Sequence, residues 1–523
     1  MDHALSPLAA RGRTNLASRL VVFLFIAFAF TNAFAADDIQ QATEDPKKAL
    51  KRAERLVRQG NYPAAETIFR RVSELDPSNS AVKLRLAFTL LKQRQLTDAY
   101  QISFEVAKSE PKNAHAFAVL GTTLISAGKL DDARQVLFTS LKLDRREALA
   151  WAGFGQLEFF QNRIEESLRN LRQAVYHDHN EPDYVFALAQ VSARAENYAE
   201  AADSYNTFLR ISKDLDHDRR DRIRGLISFL RFLSGRERLY QTSGPAESTV
   251  RFELLRNRPV ISLKVNDRDE PLRFVLDTGS GISVISQETS EKLGIRPVTR
   301  GGFAKGIGGD GKFEIVYGFL RSVGIGETRV RNVPVYIRKF HANNDIDGYI
   351  GLALISKFLT TIDYGDHTFT LAERPEVPAV PHADSVTVPL RLTASGFLSG
   401  EVQLAGIDSP LNFIVDTGAS VSVISEEVAN LDAFESLVQQ QRMRVIGAAG
   451  VTEDVPSYLL PKVSFGANSR ESVAAIALDL DMINEASGFE QAGILGGNFL
   501  RNYRMTFDVK NSQVTFVPLE KVP

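Results

Sequence analysis

Residues 271–286 reappear at 410–425: at a constant offset of 139, ten of the sixteen positions are identical. Pro271, Leu272 and Phe274 fall on Pro410, Leu411 and Phe413. Asp277-Thr278-Gly279 falls on Asp416-Thr417-Gly418, and Ser283-Val284-Ile285-Ser286 on Ser422-Val423-Ile424-Ser425. A lone three-residue match carries little information, but two copies inside one apolar strand pattern demand two copies of one local fold. In each copy an apolar strand delivers an aspartate to a desolvated place, and the glycine permits a sharp turn and a close approach. The threonine hydroxyl is positioned to hydrogen-bond across the pair. Two carboxylates brought together cannot both ionise cheaply, so they share one proton. The ionised one can take a proton from water and the protonated one can donate to a developing oxyanion. Asp277 and Asp416 are therefore the candidate catalytic residues, with Thr278, Gly279, Thr417 and Gly418 as loop support.

Two more features recur in both halves. One is an apolar-apolar-glycine, Tyr349-Ile350-Gly351 and Ile494-Leu495-Gly496. The other is a glycine-rich turn, Gly306-Ile307-Gly308-Gly309 and Gly447-Ala448-Ala449-Gly450. With these the halves resemble retropepsin-like aspartic protease lobes, the family of retroviral proteases and their bacterial relatives, over roughly residues 248–520. The resemblance implies lobes at 248–373 and 384–520 joined by a proline-rich linker at 374–383, paired within one chain as a pseudo-dimer. It implies catalytic aspartates, flaps formed by the two glycine-rich turns, and Ile350, Gly351, Leu495 and Gly496 packed beneath the catalytic loops. Retroviral members often pair an acidic residue two after the catalytic glycine with an arginine after the later glycine. Here those places hold Gly281 and Ser420, and Leu352 and Gly497, so both partners are missing in both halves.

Upstream, residues 46 to about 215 repeat with a period of 34. Ala65, Ala99, Ala133, Ser167 and Ala201 share one register, and Tyr62, Leu96, Leu130, Ile164 and Tyr198 lie three residues before them. Small residues in the first register let two helices approach, and Gly121 and Gly155 fall where one helix packs on its partner. This resembles the tetratricopeptide repeat: about five helical pairs over 46–240, each burying its apolar face against the next. Ile223, Leu226, Ile227, Leu230 and Leu233 are spaced for a capping helix. The expected fold is thus an all-α solenoid followed by two all-β lobes. The repeat resemblance implies a groove for peptides or a partner protein. Ser243-Gly244-Pro245 reads as a flexible break between arm and lobes, and Trp151 as a core residue.

Composition narrows the reading. The net charge of −2 offers no basic excess for nucleic acid. There is no cysteine, which removes disulfides, thiolate zinc sites and a cysteine nucleophile. His177 and His179 sit in a repeat turn with no third ligand, so neither a metal nor a cofactor is expected. Gly306, Gly308 and Gly311 fit Gly-x-Gly-x-x-Gly, but the following Lys312–Tyr317 alternates like a strand, whereas a dinucleotide site needs a helix there. Residues 1–35 have the layout of a secretory signal: Arg11, Arg13 and Arg19, an apolar Leu20–Phe30, then Ala33-Phe34-Ala35. The chain is expected to be exported, periplasmic or secreted, and held at a membrane only if that segment is not removed. Taken together these features give the expectation of an aspartic endopeptidase acting on protein or peptide substrates. The alternative is a catalytically silent scaffold that binds an extended peptide.

Overall fold

The computed structural model describes residues 45–213, 215–308, 312–340, 345–375 and 384–519. The signal-like segment and residues 376–383 of the linker lie outside the described residues. Eleven helices among these residues form five antiparallel pairs and a cap. The pairs are Pro46–Arg58 with Tyr62–Leu75, Ser80–Lys92 with Leu96–Ser109, Ala114–Ser126 with Leu130–Leu143, Ala148–Phe160 with Ile164–His177, and Pro182–Arg194 with Tyr198–Ile211; the cap is His217–Ser234. Each residue of the Tyr62 register opens the second helix of its pair, and the Ala65 register is fully buried one turn later. A Cβ on Gly121 would stand 2.6 Å from Leu137, and one on Gly155 2.5 Å from Leu171, so the helix axes approach too closely for any larger residue. Trp151 departs from expectation. It is half-buried at a helix start, and its indole N–H donates to the Arg145 carbonyl at 2.9 Å.

The lobes repeat one order of elements. In each, an apolar strand (Leu272–Leu276; Leu411–Val415) leads to the Asp-Thr-Gly loop. A buried strand follows (Ser283–Ser286; Ser422–Ser425), then two hairpin arms, and then a short strand (Gly348–Ile350; Gly493–Leu495) that runs parallel to the first. The parallel pairing, Leu276 with Ile350 and Val415 with Leu495, threads the catalytic loop through the sheet. The lobes are joined beneath by six consecutive strands of one sheet, in the order 386–389, 513–518, 503–508, 359–363, 368–372, 247–255. Its seam is antiparallel, Thr361 facing Thr506, with their hydroxyls 2.9 Å apart. Phe369, Phe507 and Phe516 are wholly buried there.

The arm is not a separate body. Gln241–Ser243 pairs as a strand with Arg329–Arg331 of the first lobe, and Tyr240 N–H donates to Asn332 O at 3.1 Å. The expected flexible break is therefore stitched into the lobe: Gly244, at φ +133, lies so close that a Cβ would meet Glu327 O at 2.7 Å. The fourth helical pair reaches the second lobe as well. Phe160 and Phe489 rings stand 4.8 Å apart, and Asn162 Nδ2 donates to Val509 O at 2.9 Å.

Candidate active site

The two Asp-Thr-Gly loops meet on the pseudo-two-fold axis. Thr278 Oγ1 donates to Val415 O at 2.7 Å and accepts from Thr417 N at 3.1 Å. Thr417 Oγ1 donates to Leu276 O at 2.7 Å and accepts from Thr278 N at 3.1 Å. Both threonines are fully buried, so four reciprocal bonds made away from water fix the spacing of the loops. The expected cross-pair bond is thus present, and it goes to the partner's backbone rather than to its carboxylate. The glycines bring the aspartates together. A Cβ on Gly279 would lie 2.3 Å from Asp416 Cγ, and one on Gly418 2.5 Å from Asp277 Oδ1.

The supports beneath the loops also repeat. Asp277 N donates to Ile350 O at 3.0 Å, and Asp416 N to Leu495 O at 3.1 Å. Gly351 N and Gly496 N each donate at 3.1 Å, to Ser283 Oγ and Ser422 Oγ. These two serines lay inside the duplicated segment and were not assigned a role from sequence. Where retroviral relatives often carry the acidic residue and arginine, backbone from the opposite lobe packs instead. A Cβ on Gly281 would meet Ser395 O at 2.8 Å, a Cβ on Gly497 would meet Asn257 O at 2.3 Å, and Asn257 Nδ2 donates to Ser420 O at 3.0 Å.

The two carboxyls hydrogen-bond each other and differ in environment. Burial first, and then the Asp416 charge and the bond to it, push Asp277 well above the ordinary carboxylate range. Burial also raises Asp416, against the hydrogen bond from Asp277 and backbone N–H groups that favour its ionised form. Two of these are Gly418 N at 2.7 Å and Ala419 N at 3.1 Å, both donating to Asp416 Oδ1. Burial thus raises both carboxyls, and the pair titrates as one unit that cannot cheaply carry two charges.

Two hairpins close over the pair: Thr299–Lys305 with Lys312–Ile325, and Val438–Gly447 with Gly450–Phe465. Gly306, Ile307 and Gly308 lie at the first tip and Gly447, Ala448, Ala449 and Gly450 at the second; Gly309 lies outside the described residues. The tips touch. Ala449 N donates to Ile307 O at 2.9 Å, and a Cβ on Gly308, whose φ is +96, would fall 2.2 Å from Gly450 O. Arg338 donates to Ala448 O and lies 4.0 Å over the Phe313 ring. Beneath the tips is a cavity of about 1200 Å³ containing both aspartates, larger than the ~300–1,000 Å³ usual for small ligands.

The arm contributes to this cavity, which sequence alone did not indicate. Arg194, Tyr198, Leu226 and Phe229 line it. The capping helix lies on the outer strand of the first hairpin. A Cβ on Gly225 would be 2.4 Å from Arg300 O, Arg222 Nη1 donates to Phe303 O at 2.8 Å, and Phe229 stacks on Tyr317 at 4.4 Å. A glycine inside an amphipathic helix, followed by Phe229 and Phe232 on one face, was the available signal.

Fold and site together define a two-lobed acid-protease architecture braced by a helical solenoid. The comparisons agree: residues 261–354 and 401–499 match the aspartyl protease family, and residues 56–121 and 152–215 match two tetratricopeptide repeat families. These matches fit a retropepsin-like aspartyl protease fused to tetratricopeptide repeats. Among solved structures, a thermophilic tetratricopeptide protein of Thermus thermophilus is 22% identical, over 35% of this chain and 99% of that one, with a TM-score of 0.31. The MamA RS-1 ArsTM double mutant is 18% identical, over 33% of this chain and 96% of that one, with a TM-score of 0.23. No curated protein matches.

Proposed function

We propose that this chain is an aspartic endopeptidase that hydrolyses peptide bonds with water held between Asp277 and Asp416. The observation that carries the reading is the close buried pair: Gly279 lies against Asp416 and Gly418 against Asp277, the two carboxyls hydrogen-bond each other, and Asp416 Oδ1 accepts two backbone N–H groups. On this reading the shared proton starts on Asp277. Asp416 takes a proton from the water as that water attacks the carbonyl carbon. Asp277 donates its proton to the carbonyl oxygen. As the C–N bond of the resulting diol breaks, Asp416 gives the proton it has gained to the leaving nitrogen and the now-ionised Asp277 takes one from a diol hydroxyl, which releases a carboxylic acid and an amine and restores the starting pair. The hairpin tips exclude bulk water over the cavity, which strengthens each of these interactions. One chain supplies both carboxylates, so the pair forms within a single molecule. The arm, walling the cavity, takes part in placing the polypeptide substrate. In keeping with residues 1–35, the reading includes export to the periplasm or medium, tested by sequencing the mature N-terminus; Met1 retained in a soluble fraction counts against it.

The test is digestion of an unfolded protein from acidic to neutral pH, with and without pepstatin. Pepstatin-sensitive cleavage that disappears in Asp277→Asn and in Asp416→Asn is the expected result. Cleavage unchanged by both substitutions sinks the mechanism. Tight peptide binding with no cleavage at any pH leaves the scaffold alternative in its place.

A further inference from the structure

The duplication places the two lobes in one register, so the cleft walls can be compared position by position. Ser286 pairs with Arg338, and its equivalent Ser425 pairs with Leu478. Ile261 pairs with Phe274 and Gly400 with Phe413, which makes Arg258 and Phe397 equivalent. Val275 pairs with Tyr349, and Ile414 with Ile494. All six of these wall residues line the cavity. The first lobe thus presents Arg258, Arg338 and Tyr349 where the second presents Phe397, Leu478 and Ile494. The catalytic loops are near-identical, yet at these three paired positions the first half is polar or cationic and the second is apolar.

Apart from Lys357, the cavity-lining cations of the first half have no carboxylate partner among the described residues. Of the basic residues lining the cavity, Lys357 is neutralised by Glu196 at 2.7 Å and Arg444 by Glu453 at 2.9 Å. Arg194, Arg256, Arg258, Arg338 and Lys339 form no ion pair with a carboxylate among the described residues. Arg258 and Arg338 are half-buried. Arg258 hydrogen-bonds the Tyr349 hydroxyl and the Leu255 carbonyl, the latter at 3.4 Å. Arg338 has a carbonyl and an aromatic face. Both act electrostatically on Asp277, so both stand near the reacting bond. A guanidinium partly withdrawn from water and bonded only to neutral groups retains donors suited to a carboxylate.

We propose that this cleft selects polypeptides with acidic side chains beside the scissile bond, read by Arg258 and Arg338 as specificity determinants, and apolar side chains at the counterpart positions read by Phe397 and Leu478. The inference rests on the aspartic endopeptidase reading and adds the substrate class. It makes recognition directional: a position answered by an arginine has its two-fold counterpart answered by an apolar residue, so acidic preference is not mirrored across the cut.

The experiment is a positional scan of one cleavable peptide, with Glu compared against Gln at each position flanking the bond, at about pH 6, where a peptide carboxylate is ionised. Glu is expected to raise kcat/KM about tenfold at one or two positions, the scale of a charge-assisted pair in a partly dry site, with no gain at the counterparts. Arg258→Gln with Arg338→Gln brings that ratio to about one. A flat scan, or one symmetric about the cut, overturns the proposal, and because it is run on the unmodified protein it decides even where the double variant does not fold. Should no peptide be hydrolysed, the endopeptidase reading fails. Binding of fluorescein-labelled Glu and Gln peptides to Asp416→Asn then decides the preference separately: tighter binding of the Glu form upholds it, and equal binding ends it.

Discussion

Gly418→Ala adds one methyl group where it meets the reacting carboxyl. The new Cβ would stand 2.5 Å from Asp277 Oδ1 and 2.6 Å from its Cγ. Ordinary contact begins near 3.4 Å, so about 1 Å must be found. The loop cannot supply it cheaply, because Thr417 is tied to the opposite lobe by two bonds, to Thr278 Oγ1 and Leu276 O, and Gly418 N to Asp416 Oδ1 by a third. The Asp277 side chain must swing instead, at an off-rotamer cost of about 0.5–1.5 kcal/mol. Misplacement on this scale costs about a hundredfold in turnover, or ~2.7 kcal/mol of barrier, while overpacking costs about 1–3 kcal/mol of stability. The protein should therefore stay folded and lose its rate. Single-turnover cleavage beside thermal denaturation separates the two effects. Gly235→Ala serves as the control, since its nearest neighbour would be 3.8 Å away. A Gly418→Ala protein with wild-type kcat and wild-type stability would refute the claim that these carboxyls act as one close pair.

Asp277→Asn and Asp416→Asn should each be inactive, mixing them should restore nothing, and wild-type specific activity should not fall on dilution. Activity regained on mixing would show that lobes pair between chains. The raised Asp277 pKa carries a stability signature: the folded state binds the proton more tightly than the unfolded state. That contribution is full below an unfolded pKa of about 3.9 and is lost as pH rises towards the folded value, at up to ~1.4 kcal/mol per pH unit. Urea midpoints for wild type and Asp277→Asn should therefore diverge above about pH 4, the asparagine protein becoming relatively more stable; parallel curves would mean no such proton is held. Phe229→Ala removes the ring stacked on Tyr317 at 4.4 Å and should cost about 3–5 kcal/mol. It should shift a transition shared by arm and first lobe in calorimetry; an unmoved lobe transition would make the arm an independent body.

What the sequence disclosed was whatever it repeated. The 34-residue register located Tyr62 and Ala65 and their equivalents on the second helix of each pair, because a solenoid buries the same position in every repeat. The 139-residue offset located both aspartates and their glycines, because a two-fold site needs the same turn twice. The unrepeated contacts were hidden. Gly225 against Arg300 and Gly301 is a single meeting of helix and hairpin with no second copy to reveal it. Ser243-Gly244-Pro245 has the composition of a hinge, but strand pairing at 241–243 and close backbone at Gly244 override local propensity. Arg258 and Arg338 were visible only as breaks in the duplication, outside the window where it is strong. Trp151 shows the converse: its repeat position promised burial, but an indole N–H needs an acceptor, and Arg145 O holds it near the surface.

The seam between Thr361 and Thr506 has a consequence for how the molecule is made. Its two strands are separated by 145 residues, 506 minus 361. At a synthesis rate of about 5–20 residues per second, the first strand waits on the order of ten seconds or more for its neighbour. Throughout that interval the nascent first lobe presents an unpaired strand edge, which invites pairing with any other exposed strand. That lobe supplies only Asp277; Asp416, 55 residues beyond Thr361 (416 minus 361), belongs to the second lobe, which is not locked to the first until the seam forms. On the proposed reading, proteolytic competence would be timed by translation: the ribosome must deliver strand 503–508 before the lobes can lock, and no partly made chain should be able to cut its neighbours.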